Sequence, residues 1–171
     1  IMPGVKHDGL ISISTGTSRT EKKWKNKQTT WSALLSQFAE TTRTRETIAE
    51  YDKMPKSQQD GIKDVGGYIG GVLKAGDRKS GIVWRHLLTL DLDFAQAGMW
   101  AAFVALNDYA ACIYSTHKHR TDTPRFRQVI PLKRPVTPDE YVAVGRMIAC
   151  RNGMDQYDDT CFEPGRLMYW P

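Results

Sequence analysis

Cysteine is scarce in this sequence: the 171 residues contain only Cys112, Cys150 and Cys161. The three form no CxxC pair and match no zinc-ligand spacing, which argues against a disulfide scaffold and against a zinc module. We therefore expect three buried thiols in a protein of a reducing compartment, the cytoplasm.

Long hydrophobic runs are also missing. The most apolar stretch, residues 95–106, is interrupted by Gln96 and Gly98 and is shorter than the roughly 20 residues that cross a bilayer. No secretion signal opens the chain. Because 40% of the residues are hydrophobic and 25% are charged, the composition is that of a globular protein. The sequence predicts one soluble domain with no membrane partner.

Negative charge is in deficit, with 19 acidic residues against 24 Lys and Arg and a formal net charge of +5. Much of the excess lies in residues 19–27 and 117–127. A basic surface concentrated in this way attracts polyanions, so nucleic acid or nucleotide phosphate is the favoured class of partner.

The N-terminal half, residues 1–80, is polar and has helical character. Apolar residues at helical spacing predict short helices at 30–40 and 44–54. Paired glycines within residues 66–71 could let a backbone approach phosphate, but the lysine and hydroxyl of a phosphate loop are missing. Tight turns flanking a short strand are favoured there.

The C-terminal half, residues 81–171, has a more regular pattern. Leu88, Leu90 and Leu92 alternate with polar residues, which is typical of a strand. The predicted strands are 83–93, 111–115, 126–131 and 166–170, and the predicted helices are 94–106 and 137–152. The order strand, helix, strand, strand, helix, strand predicts an α+β fold, the split βαβ or ferredoxin-like antiparallel sheet shared with RNA-recognition modules.

Strand direction in that fold brings four segments to one edge of the sheet. The first two strands run the same way and the last two run opposite, so the ends of the first pair meet the starts of the second. The segments contain, in chain order, Asp91 and Asp93, Ser115 to His119, Arg125 and Arg127, and Asp158 and Asp159. We expect a site for divalent metal and triphosphate at this edge.

The carboxylates of Asp91 and Asp93 project from the same side of a strand. Mg²⁺ and Mn²⁺ prefer oxygen ligands, and like charges this close favour a bound cation, so we predict a two-metal site here. Asp158 is the third predicted ligand, with neighbouring Asp159 as the alternative. A pair of solvated acids at a strand end is the competing interpretation.

Phosphate-binding groups follow the second strand. His117, Lys118 and Ser115 are predicted to contact the nucleotide, and Arg125 and Arg127 to share the charge. The histidines flanking Lys118 also suggest the metal-binding pair of rolling-circle nicking enzymes, with Tyr141 as the catalytic tyrosine. That alternative fits less well because the middle residue of the motif is usually apolar.

A basic segment near the N-terminus is a candidate for binding single-stranded template. In it an aromatic residue lies among lysines: Lys22, Lys23, Trp24, Lys25 and Lys27. The alternative for Trp24 is packing against the core.

Three of these patterns resemble the motifs of the archaeo-eukaryotic primase superfamily, whose catalytic half is built on an RNA-recognition-like sheet. The matching segments, in the order of the family, are LTLDLD at 88–93, STH at 115–117 and DDTCFEPGRLMYWP at 158–171. WKNKQTTWSALL at 24–35, KDVGGYIGG at 63–71 and YSTHKH at 114–119 resemble segments of the primase-polymerase domains of phage, prophage and plasmid replication proteins.

This resemblance implies a template-dependent nucleotidyltransferase, a DNA primase or primase-polymerase that uses Mg²⁺ or Mn²⁺. It implies Asp91, Asp93 and Asp158 as metal ligands and His117, with Ser115 beside it, as the phosphate contact. The implied partners are a single-stranded DNA template, nucleoside triphosphates and a helicase domain or protein, in a bacterial or phage-infected cytoplasm. We expect residues 1–171 to be one catalytic domain excised from a longer protein. A non-catalytic single-stranded nucleic-acid-binding module is the other alternative, although the strands lack its aromatic residues.

Overall fold

The computed structural model describes residues 5, 8–78 and 81–171. It has eight strands and five α-helices in these residues. The strands are β1 (Leu10–Gly16), β2 (Lys25–Thr30), β3 (Gly67–Ile69), β4 (Gly71–Leu73), β5 (Ile82–Leu92), β6 (Cys112–Ser115), β7 (Phe126–Val136) and β8 (Met168–Tyr169). The helices are α1 (Trp31–Phe38), α2 (Ile48–Lys53), α3 (Lys56–Ile62), α4 (Met99–Leu106) and α5 (Pro138–Asn152). Short 3-10 helices occupy Lys74–Gly76, Met154–Gln156 and Asp159–Phe162.

The strands form two four-stranded antiparallel sheets, so the fold is mixed α/β. The first sheet has the order β2-β1-β3-β8 and the second has the order β4-β5-β7-β6. The predicted neighbours β5, β7 and β6 do lie side by side. The predicted fourth strand does not join them, because β8 pairs with β3 in the first sheet and β4 takes the place beside β5. The prediction of a ferredoxin-like sheet was therefore wrong for its fourth strand.

The N-terminal half contains four strands, not only the predicted helices. Residues 11 and 13, both Ile, point into the core from β1. β2, with the sequence KNKQTT, has no buried residue and pairs along one side with β1. A strand without apolar alternation gives no periodic pattern, and β2 therefore escaped prediction.

The chain changes sheets at Gly70. β3 ends at Ile69 and β4 begins at Gly71, yet the two strands belong to different sheets. A Cβ atom on Gly70 would lie 2.6 Å from the Cβ of Leu87, so the close approach requires glycine. The predicted short strand is present as β3, and Gly70 is a crossing point between the two sheets, which the sequence did not predict.

Both faces of β5 are covered. Leu88, Leu90 and Leu92 pack in a core with residues of α4 and α5, and Leu87 packs with residues of the first sheet and α1. Thr89 is fully buried on this second face. The second sheet therefore lies between helices α4 and α5 on one side and the first sheet on the other. Thr89 and Leu87 of β5 face the first sheet.

Helix α5 begins as predicted, because Thr137 and Glu140 form a capping box. The helix predicted at 94–106 is shorter: α4 starts at Met99, after Gly98 with φ of 78°. Cys161 is buried, but Cys112 is only partly buried and Cys150 is exposed, which corrects the expectation of three buried thiols. Within the described ranges no helix combines the length and apolar character that crossing a membrane requires.

Candidate active site

A cleft of about 800 Å³ opens at the ends of β5 and β6. The residues predicted from the sequence to bind metal and nucleotide all line it: Asp91, Asp93, Ser115, His117, Lys118, Arg125, Arg127 and Asp158. Eight Lys and Arg side chains and four Asp side chains line this cleft, so its surface carries excess positive charge. Such a surface attracts phosphate groups.

One row of side chains across three strands forms the floor of the cleft. Arg127 of β7 is paired in register with Asp91 of β5 on one side and with Tyr114 of β6 on the other. Cross-strand neighbours project from the same face of a sheet, so strand alternation alone places these three side chains together. Asp91 and Arg127 belong to the edge that strand direction predicted, and Tyr114 is an addition from the structure.

Asp91 and Arg127 form a buried ion pair. The Arg127 Nε donates to Asp91 Oδ1 at 2.8 Å, and its Nη1 donates to the carbonyl oxygen of Tyr169 at 2.8 Å. Burial lowers the pKa of the Arg127 guanidinium, but Asp91 together with Tyr114 and Tyr68 outweighs burial, and the pKa is raised. Asp91 is 5% exposed, and its Oδ2 lies 3.8 Å from Arg166 Nε. The Asp91 carboxylate is therefore fixed from two sides.

Asp158 is brought to Asp91 by the backbone. Its N–H donates to the carbonyl oxygen of Asp91 at 3.0 Å, and its Oδ2 accepts from Arg166 Nη2 at 3.2 Å. Asp159 is exposed and is not a lining residue of the cleft. Of the two candidate ligands, Asp158 is thus the one that faces the other carboxylates.

Asp93 accepts a hydrogen bond at 3.0 Å from Arg125 Nη1. Burial raises the pKa of the Asp93 carboxyl; Arg125 opposes this rise, while the charges of Asp91 and Asp158 add to it. Asp93 is therefore close enough to both other carboxylates to be repelled by them. Three carboxylates in one cleft supply the oxygen ligands that a hard divalent cation prefers. Each carboxylate is paired with an arginine, however, and the described residues hold no cluster of three or more His, Cys, Asp or Glu arranged around a metal position.

The raised pKa of Asp93 predicts a pH-dependent stability. A raised pKa means that the folded state binds the proton more tightly than the unfolded state, so stability falls as pH rises above the ordinary value of 3.8. We expect Asp93→Asn to have a higher Tm than wild type at about pH 7, and the difference to vanish at about pH 3, where both states hold the proton. Thermal unfolding monitored by circular dichroism at both pH values tests this. A variant that is less stable at neutral pH would mean that the Arg125 pair outweighs burial.

His117 is held by the segment that contains α2. Its Nε2 lies 3.1 Å from Thr44 Oγ1 and 3.4 Å from Glu46 Oε1, and its ring centroid lies 4.3 Å from that of Tyr51. The Nδ1 atom is buried and has no hydrogen-bond partner in the described part of the chain. Sequence analysis did not link residues 44–51 to this histidine.

Six further charged residues line the cleft and were not among the predicted site residues: Arg19, Lys56, Asp60, Lys63, Arg78 and Arg166. Lys56 is the first residue of α3, Asp60 lies within this helix, Lys63 follows it, and Arg19 lies in the loop that follows β1. No element was predicted at residues 56–62, and none of the residues of α3 is buried in the structure. Only the packing of the chain places it on the wall of the cleft.

The predicted template-binding segment lies elsewhere, since none of its five residues lines the cleft. Lys22, Lys23, Lys25 and Lys27 are exposed. Trp24 is 4% exposed and packs with Ile69 and Leu73, so it cannot stack on a base. The prediction that Trp24 stacks on a base was therefore wrong, and Trp24 packs in the core, which was the alternative.

Two findings contradict the nicking-enzyme alternative. Tyr141 is fully buried, and its hydroxyl lies 2.9 Å from the Thr89 carbonyl oxygen and 3.2 Å from that of Cys161. His119 does not pair with His117, because its Nδ1 accepts from the Arg125 backbone N–H at 3.2 Å. The tyrosine is inaccessible to DNA and the two histidines face different partners.

A family model described as the VapE N-terminal domain matches residues 2–171. No curated protein and no solved structure matches the chain.

Proposed function

Since this chain belongs to the VapE N-terminal domain family, we propose that it is a metal-dependent nucleotidyltransferase, a DNA primase or primase-polymerase. The family is associated with phage and plasmid replication. In such a system the template is single-stranded DNA, the substrates are nucleoside triphosphates, and strand separation falls to a helicase domain or protein.

The observation that carries the proposal is the juxtaposition of carboxylates and cations in one cleft. Asp91, Asp93 and Asp158 interact with one another in the lining, and among the other charged lining residues eight are Lys or Arg and one, Asp60, is acidic. Nucleotidyl transfer requires both groups of residues, because metal ligands and phosphate-binding groups act on the same substrate. A metal-free binding module would have no role for three carboxylates, Asp91, Asp93 and Asp158, in one cleft.

The carboxylates would hold Mg²⁺ or Mn²⁺, which supplies activation of a 3′ hydroxyl and neutralisation of the departing pyrophosphate. Arg127 fixes the Asp91 carboxylate, because its Nε donates to Asp91 Oδ1. Arg125 and Arg166 each bind a carboxylate in this structure and are positioned to turn to the phosphates of a nucleotide. His117, Lys118 and Ser115 line the neighbouring wall and bind and orient the phosphates.

The proposal is tested by incorporation of labelled nucleotide on a single-stranded DNA template, in Mg²⁺ and in Mn²⁺, with and without a primer. We expect metal-dependent incorporation, because the carboxylates and phosphate-binding groups share one cleft. Product formed without a primer identifies a primase, and product that requires a primer identifies a polymerase that extends existing ends. A folded protein that incorporates nothing under any of these conditions contradicts the proposal.

A further inference from the structure

Helix α3 carries a concentration of positive charge at one wall of the cleft. Lys63 Nζ lies 2.7 Å and Lys56 Nζ 3.6 Å from Asp60 Oδ1, and Arg19 Nη1 lies 3.3 Å from Asp60 Oδ2. These contacts lower the pKa of the Asp60 carboxyl to about 2, with the Lys63 hydrogen bond as the main cause. The Asp60 carboxylate thus forms ion pairs with all three cations.

Other carboxylates do not balance this charge. The nearest acidic neighbour along the chain, Asp64, accepts from the Ser18 hydroxyl at 2.6 Å and from the Arg19 backbone N–H at 2.8 Å. Asp64 therefore holds the loop after β1 and forms no ion pair with the lysines within the described residues. The wall keeps a surplus of positive charge.

Lys118 connects this wall to the carboxylate end of the cleft. Its pKa is lowered, first by burial and then by the charges of Lys56, Lys63 and Arg125. Arg125 in turn donates to Asp93. Arg125, Lys118, Lys56 and Lys63 all line the same cleft, so the cations of α3 and those beside the carboxylates share one surface. Cations held this close repel one another and gain stability when a polyanion binds between them.

We propose that Lys56 and Lys63, together with Lys118, form a subsite for the terminal phosphates of a triphosphate. The assignment rests on the proposed function in one respect, that the cleft holds a nucleotide whose reacting phosphate lies at Asp91 and Asp93. Lysine ammonium groups on flexible stems suit this task, since they bind phosphate oxygens as point charges without a fixed geometry. Asp60 holds the two lysines at the cleft while the ligand is absent.

Two molecules carry the same terminal phosphates: a free nucleoside triphosphate and the 5′-triphosphate end of a short primer. Both would place a tri-anionic tail against α3. Inorganic tripolyphosphate carries the shared chemistry alone, so it is the probe for the subsite. A nucleoside triphosphate and a 5′-triphosphorylated dinucleotide, each compared with its form lacking the terminal phosphates, then distinguish the two sources.

The test is the dissociation constant of tripolyphosphate, measured by isothermal titration calorimetry at physiological ionic strength. We expect Lys56→Gln plus Lys63→Gln to raise this constant about tenfold, because each lost ammonium removes charge-assisted hydrogen bonds. The matched control is Lys22→Gln plus Lys23→Gln, which removes the same charge from exposed residues outside the cleft. The control should change the constant less than about twofold.

Equal effects of the two double variants would overturn the subsite, because they would show attraction to net charge alone. Lys56 is 70% exposed in its side chain, so Lys56→Gln alone tests the subsite without disturbing the fold. It should weaken binding more than either single control substitution. Wild-type protein that binds no tripolyphosphate would also overturn the proposal.

The outcome is independent of catalysis. Tripolyphosphate binding that depends on α3, in a protein that incorporates no nucleotide, would support the subsite and contradict the polymerase. Incorporation with wild-type nucleotide affinity in the Lys56→Gln plus Lys63→Gln variant would support the polymerase and contradict the subsite.

Discussion

Asp93→Asn is expected to reduce template-directed nucleotide incorporation about a thousandfold, and Asp158→Asn to have an effect of the same size. Each substitution removes one charged oxygen ligand from the proposed metal site, and metal stabilisation of the transition state amounts to several kcal/mol. Steady-state incorporation on a primed single-stranded template measures the effect. The reason is electrostatic, since an amide oxygen has the shape of a carboxylate oxygen but not its charge.

Asp159→Asn is the matched control for this series. Asp159 is adjacent to Asp158 in the chain, but it is exposed and lies outside the cleft lining. We expect wild-type incorporation from this variant. Full activity in Asp93→Asn would remove Asp93 from the reaction, and loss of activity in Asp159→Asn would contradict the assignment of the third carboxylate to Asp158.

The same Asp93→Asn variant is expected to be more stable at neutral pH, because burial already raises the pKa of this carboxyl. Higher stability combined with lost activity is typical of a residue kept for function at a cost to the fold. Simple unfolding would lower both quantities, so the two measurements together separate a functional role from a structural one.

Arg127→Met is expected to lower the free energy of unfolding by about 3–5 kcal/mol. The substitution leaves the Asp91 carboxylate buried without its partner, and it removes the donor to the Tyr169 carbonyl oxygen. An uncompensated buried charge is costly because the interior solvates it poorly. Urea unfolding monitored by circular dichroism measures the loss.

Arg125→Met provides the comparison, since Arg125 also pairs with a carboxylate at the same cleft but is 33% exposed in its side chain. Its loss should cost no more than about 1 kcal/mol. The double variant Arg127→Met plus Asp91→Leu should regain much of the stability, because it removes both charges from the interior. Equal stability of Arg127→Met and wild type would contradict the structural role of the pair.

Much of the candidate site could be predicted because its parts lie in short stretches of sequence. The alternation in LTLDLD fixes the strand and the side on which Asp91 and Asp93 project. The predicted directions of β5, β6 and β7 were sufficient to bring Ser115 and Arg127 to the same edge. Side-chain alternation and strand direction are local properties, so a single sequence carries them.

The lysines of α3 show what could not be predicted. Nothing in KSQQDGI distinguishes a solvated helix from one that lines a binding cleft, because Ile62 is its only large apolar residue and the segment has no apolar periodicity. Its position follows from contacts made by residues distant in the chain, among them Arg19 and Asp60.

The sequence by itself determined that Asp91, Ser115 and Arg127 meet where β5 and β6 end and β7 begins, and that the capped helix α5 follows them. The tertiary structure alone decided that β8 pairs with β3 and that Trp24 and Tyr141 are buried. The physical reason is the range of the forces involved. Alternation and capping depend on residues a few positions apart, whereas the partner of an edge strand and the burial of an aromatic ring depend on surfaces that only the folded chain assembles.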